Sequence, residues 1–274
     1  TAGGGIFNAT NGNVQITDTL IGDDGTGTYT ANSAGLFGGG LANQGITNLT
    51  NSQVLANTAN TGGGLYNTGV LTVDNTQVAY NTADSGGGLV NYKTAQVINH
   101  SKVSSNTAQL GGGIFNTGGV LTLTGSILSD NQAQTTGGGI QNSDDGKLII
   151  DNTILSGNRI SVSDSVNAKG GGISNVGNNS SVTITNSQLL NNSARGSGGA
   201  FYNEVGTAPS ITGSCLLGNS LQGITNTSNI PINAINNWWG TATGPSGAAP
   251  GKGDMISASV NYAPVQTTAI LGCA

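Results

Sequence analysis

The chain has 274 residues, 47 of them glycine, with only 7% charged residues and a net charge of −5 from seven basic and twelve acidic side chains. So few cations leave no basic stripe to neutralise phosphates, which argues against nucleic acid as a partner, and no basic anchor for an anionic membrane. No apolar run approaches the roughly 18 residues of a membrane-spanning helix, so no membrane insertion is expected of this segment.

From its first residues the chain writes one phrase repeatedly. GGGIFN at Gly3 returns as GGGLAN at Gly38, GGGLYN at Gly62, GGGLVN at Gly86, GGGIFN at Gly111, GGGIQN at Gly137, GGGISN at Gly170 and GGAFYN at Gly198, and a worn copy, LQGITN, starts at Leu221. The steps between copies are 35, 24, 24, 25, 26, 33, 28 and 23 residues. A period of about 20–50 residues marks a repeat architecture in which each unit buries its apolar face against its neighbours.

Within a unit, three short alternating stretches are separated by turns, as in 111–136. Alternation with a period of two predicts strands, and no stretch has helical periodicity. Three strands per turn of roughly 24 residues predict an all-β parallel β-helix of about nine to ten coils, stacked about 4.8 Å apart. The expected inward columns are Ile6, Leu41, Leu65, Leu89, Ile114, Ile140, Ile173, Phe201 and Ile224; Val73, Ile98, Leu123, Ile150 and Ile184; and Val54, Val78, Val103, Leu128, Leu155, Leu189 and Leu216.

Asparagine is equally periodic. One column closes the phrase: Asn8, Asn43, Asn67, Asn91, Asn116, Asn142, Asn175, Asn203 and Asn226. Each lies two residues beyond the inward aliphatic, so it is expected on the same side. A second runs Asn57, Asn81, Asn106, Asn131, Asn158, Asn192 and Asn219, each five residues after a Ser or Thr column from Ser52 to Ser214. Stacked amides form ladders along the axis, and Asn tolerates left-handed turns. These columns are therefore expected to hold bends rather than ligands. The glycine triplets have no following helix or P-loop lysine, so they are expected to bend the chain rather than cradle phosphate.

Two coils carry insertions, 23–30 and 160–169. The acidic pairs Asp23-Asp24 and Asp144-Asp145 precede glycine and suggest turns; no cofactor is expected, with Ca²⁺ at these loops the weak exception, since several converging oxygens are required. The chain is expected to divide into repeats over 1–235 and a C-terminal cap and tail over 236–274, in a single domain, with Trp238 and Trp239 serving the cap. Cys215 and Cys273 are compatible with one disulfide in an oxidising compartment or with two unpaired thiols. There is no signal peptide, and Thr1-Ala2-Gly3 enters the first coil at once. That suggests a mature or trimmed form and an uncapped first coil.

The GGGIFN phrase followed by LTLTxSxLxxN resembles the right-handed parallel β-helix repeat proteins of bacterial cell surfaces. GGAFYN at Gly198 is similar to the GGA[ILV] and FxxN motifs of chlamydial polymorphic outer-membrane proteins and related autotransporter passengers. NNWWGTATGP and GKGDMISASVNYAP resemble the closing segment of bacterial secreted β-helix proteins. The resemblance covers nearly the whole chain and implies the right hand of the helix and an extracellular or cell-surface location. Its superfold also includes pectin lyases, pectate lyases and polygalacturonases, so fold alone does not give function.

The reading that results is a non-catalytic structural protein of the cell exterior, adhesive or self-assembling head to tail through the first coil into filaments. One alternative is a glycan-binding adhesin module, contacting glycans or a host or neighbouring cell through the outward residues Phe7, Tyr66, Phe115 and Tyr202. Another is a polysaccharide lyase or hydrolase. Lyases of that superfold need a base beside a uronate and hydrolases use clustered aspartates, whereas this chain has a single histidine, His100, and scattered Lys and Arg. No catalytic residue is assigned.

Overall fold

The computed structural model describes residues 3–26, 30–161, 168–204, 206–270 and 272–273. Parts of both insertions, 27–29 and 162–167, lie outside the described residues, as do the first two residues. Among the described residues all regular structure is strand, and every pairing is parallel.

The chain winds into a parallel β-solenoid. One sheet of 11 strands carries the glycine phrase, a second of 10 the alternating segment, and a third of 8 the short strand that follows the Ser/Thr column. In the first sheet Ile6, Leu41, Leu65, Leu89, Ile114, Ile140, Ile173, Phe201 and Ile224 pair in one unbroken register. Among them Leu41 to Ile224 are buried and Ile6 is half-buried. Short additional strands in five coils, such as 107–110 and 132–136, form a fourth edge before the glycine triplet, closed over its own small core of Ala133, Ile160, Ala168 and Ala194.

Each regular coil has three corners at which a residue takes a positive φ. The first glycine of the phrase makes one of them, with φ between 59° and 72° from Gly3 to Gly198. A side chain there would collide with its own turn: a Cβ on Gly111 would lie 2.4 Å from the Ile114 carbonyl oxygen. That is why glycine opens the phrase.

The second sheet corrects one expected column. Val97, not Ile98, pairs with Val73 and Leu123, and Val97 is buried. The reason is one extra residue at that corner. Both Asn99 (φ 52°) and His100 (φ 65°) are left-handed, where other coils use a single Asn, Asp or Gly. Counting back from Ser101 therefore slips by one, and a slip of one residue exchanges the faces of a strand. A further inward row in the same sheet, Leu71, Ala95, Leu121, Leu148 and Val182, completes the core.

Candidate functional site

The chemistry of the interior is three side-chain ladders. In the first, each asparagine donates from Nδ2 to the Oδ1 of its counterpart one coil on, at 2.7–3.0 Å, from Asn8 through Asn43, Asn67, Asn91, Asn116, Asn142, Asn175 and Asn203 to Asn226. In the second, Asn32 heads the row Asn57, Asn81, Asn106, Asn131, Asn158, Asn192 and Asn219, with the same Nδ2-to-Oδ1 sense at 2.8–3.1 Å. Here the backbone N–H donates to the same acceptor, for example Asn106 N to Asn131 Oδ1 at 3.0 Å. In the third, hydroxyls of the Ser/Thr column accept from the backbone N–H of the coil before, as from Thr153 to Ser187 at 3.1 Å, except at Ser101, whose N–H turns to the Ile98 carbonyl of its own two-residue corner. Each hydroxyl also donates to a carbonyl of its own turn, as Ser187 does to Thr185 at 2.7 Å. Buried polar groups must be paired, and here repetition pairs them with one another.

All three ladders end in the segment after Asn219. Asn226 donates to the Ile230 and Ser259 carbonyls at 2.9 and 3.0 Å. Ser214 N donates to Asn237 Oδ1 at 2.8 Å. The second ladder meets Asp254, whose carboxylate accepts Asn219 Nδ2 at 2.7 Å, Asn219 N at 3.1 Å and Gly218 N at 3.0 Å. A carboxylate accepts without donating, so it stops the row, and its negative charge faces the donor end of eight aligned amides, from Asn32 to Asn219. Burial pushes the Asp254 carboxyl up from its ordinary value, outweighing the bonds from Asn219 and Gly218, which act the other way.

The segment 236–274 also extends the sheets. Gly253–Ile256 joins the first and Val260–Asn261 the second. Trp238 pairs with Cys215 of the third. Trp239 is fully buried and ends the core together with Ile256 and Val260, its indole Nε1 having no hydrogen-bond partner among the described residues. Cys215 and Cys273 form a disulfide that joins positions 58 residues apart.

The outward aromatic stripe divides. Phe7 is 49% exposed, Tyr66 and Phe115 are half-buried, and Tyr202 is 3% exposed beneath Lys169, whose Nζ lies 5.0 Å from the ring. Tyr202 is thus no part of an accessible face. Two rings outside the expected column join Tyr66 instead: Phe37 stacks on it at 4.6 Å and Tyr92 tilts against it at 5.6 Å. Phe37 precedes a glycine triplet and Tyr92 follows a phrase asparagine, so the repeat register alone does not reveal them.

The acidic pairs hold their own loops. Asp23 accepts Gly25 N at 2.8 Å, and Asp24 accepts the Thr26 N–H and hydroxyl, which holds its carboxyl below the ordinary value. Asp144 accepts from Thr117 and Ser143, and Asp145 from Asn179. Among the described residues no three His, Cys, Asp or Glu side chains converge on a metal position. No described helix is long and apolar enough to cross a membrane.

Comparison with known proteins finds no matching family model, no matching curated protein and no matching solved structure. The disulfide is consistent with a protein outside the reducing cytoplasm.

Proposed function

We propose that the chain is a non-catalytic structural β-solenoid of the cell exterior, a stiff spacer that presents its outer faces to neighbouring copies or surfaces. The ladder set carries this reading. Each regular coil commits two asparagines and one hydroxyl residue to its neighbours, and a side chain held in a ladder is not available to a substrate. The disulfide supports an oxidising location, of which the extracellular surface is the sharper form.

End-to-end association belongs to the same proposal, and the two ends differ in what they offer. In this proposal a second copy meets the coil that carries Ile6, Val14 and Leu20, which are half-buried, and Phe7, which is exposed. The other end is closed by Asp254, Asn237 and Trp239. A second copy cannot continue the ladders from the closed end, so contact at the first coil is the form of association proposed. A glycan-binding module is the second reading, favoured by the row Phe37, Tyr66 and Tyr92, since aromatic rings stack on sugars.

Light scattering and electron microscopy of the purified protein test the assignment. The expected result is oligomers joined at the first coil and weakened by Phe7→Ser. A strictly monomeric protein that binds no glycan would remove both the assembling and the adhesive reading. Release of uronate sugars from pectin would replace them with an enzyme.

A further inference from the structure

Both arginines of the chain, Arg159 and Arg195, line one surface groove, with Gln132, Ser193, Ser220 and Leu221 around them. In a chain with seven cations and a net charge of −5, this pairing runs against the overall balance. It follows from the register of the fourth edge. Arg159 pairs with Gln132 of the coil before and with Ser193 of the coil after. Arg195 stands two residues beyond Ser193. Ile160 and Ala194 point inward, and both arginines are exposed on the outer side. The coils that carry them are one strand spacing, about 4.8 Å, apart, and both side chains line the same groove.

The groove is also shaped in advance. Gln132 Oε1 accepts Arg159 Nη2 at 2.6 Å, which orients the guanidinium while using one of its five N–H donors. Ser220 Oγ accepts Ala194 N at 3.0 Å and donates to the Ala194 carbonyl at 3.2 Å, which fixes the floor. Leu221, 56% exposed, supplies an apolar rim. Among the described residues the one ion pair is Lys169 with Glu204, so neither guanidinium is matched by a described carboxylate.

We infer that this groove binds an oxyanion (a carboxylate, phosphate or sulfate) clamped between Arg159 and Arg195. Guanidinium groups present paired donors that match two oxygens of such a group, and two of them from adjacent coils enclose it from two sides.

Having only two arginines makes the test direct, because the side-chain Nε–H spectrum holds two signals to assign. Sodium sulfate, phosphate and acetate, and a sulfated oligosaccharide, are titrated at constant ionic strength against the whole chain. Both signals should move along one saturable curve, and Arg159→Gln should weaken binding at least ten-fold and remove the shift of Arg195. Arg159→Lys should fall between, because it keeps the charge and loses the fork. An unchanged backbone spectrum confirms that each variant folds. Tighter binding of the oligosaccharide than of free sulfate assigns the oxyanion to a polymer, and equal binding assigns it to a free ion. Signals that move independently, fail to saturate, or respond equally to chloride would overturn the inference.

Discussion

Leu221 opens the one copy of the phrase that lacks glycine at its first position, and it adopts φ 52° all the same. A left-handed conformation costs a residue with a Cβ about 1–2 kcal/mol, and the exposed side chain recovers little by burial. Leu221→Gly is therefore expected to raise stability by about 1 kcal/mol, read as a shift of the urea midpoint. Gly111→Ala should act in the opposite sense, because its Cβ meets the turn's own carbonyl. The same scale explains what the sequence hid. His100 is an extra corner residue, and nothing in its chemistry separates an insertion from a substitution. The register of Val97 therefore becomes clear only when its neighbours in the sheet are seen.

The ladders are the elements that close the molecule, and their ends were harder to read than their middles. Asn57 to Asn219 recur at fixed distance from a hydroxyl residue, so stacking was legible. Asp254 belongs to the same row by position in space, but it is an acid, 35 residues beyond Asn219, in a segment where the repeat has lapsed. Its folded pKa is raised, so its contribution to stability is present below the ordinary carboxylate value of about 3.9 and is lost as pH rises through the raised value. Wild type should accordingly lose stability relative to Asp254→Asn as pH rises from about 4 towards neutral. Parallel curves would contradict this. The disulfide acts on the same segment. Cross-linking across 58 residues contributes about 4 kcal/mol on the chain-entropy account. Reduction should release amide protection in 236–273 first and leave the central coils protected, as hydrogen exchange would show.

At the scale of the whole molecule, periodicity alone announced the solenoid, because one unit cannot bury its face without the next. The accessible face was less legible. Alternation says which side of a strand a residue takes, but not what covers that side, and so Tyr202 lies beneath Lys169 while Phe37 and Tyr92 complete the aromatic row. The central claim is that polar side chains join coil to coil, so that damage to one ladder position spreads to its neighbours. Hydrogen exchange of Asn131→Ala and Asn116→Ala, with the outward Thr122→Ala as control, tests it most directly. Removing either amide orphans groups in the adjacent coils and should cost about 2–3 kcal/mol. Asn131→Ala should cost more, because both the N–H and Nδ2 of Asn106 lose their acceptor. The account predicts loss of protection in the coils on both sides of each ladder variant and none for the control. Ladder variants whose neighbouring coils stay as protected as those of Thr122→Ala would contradict it.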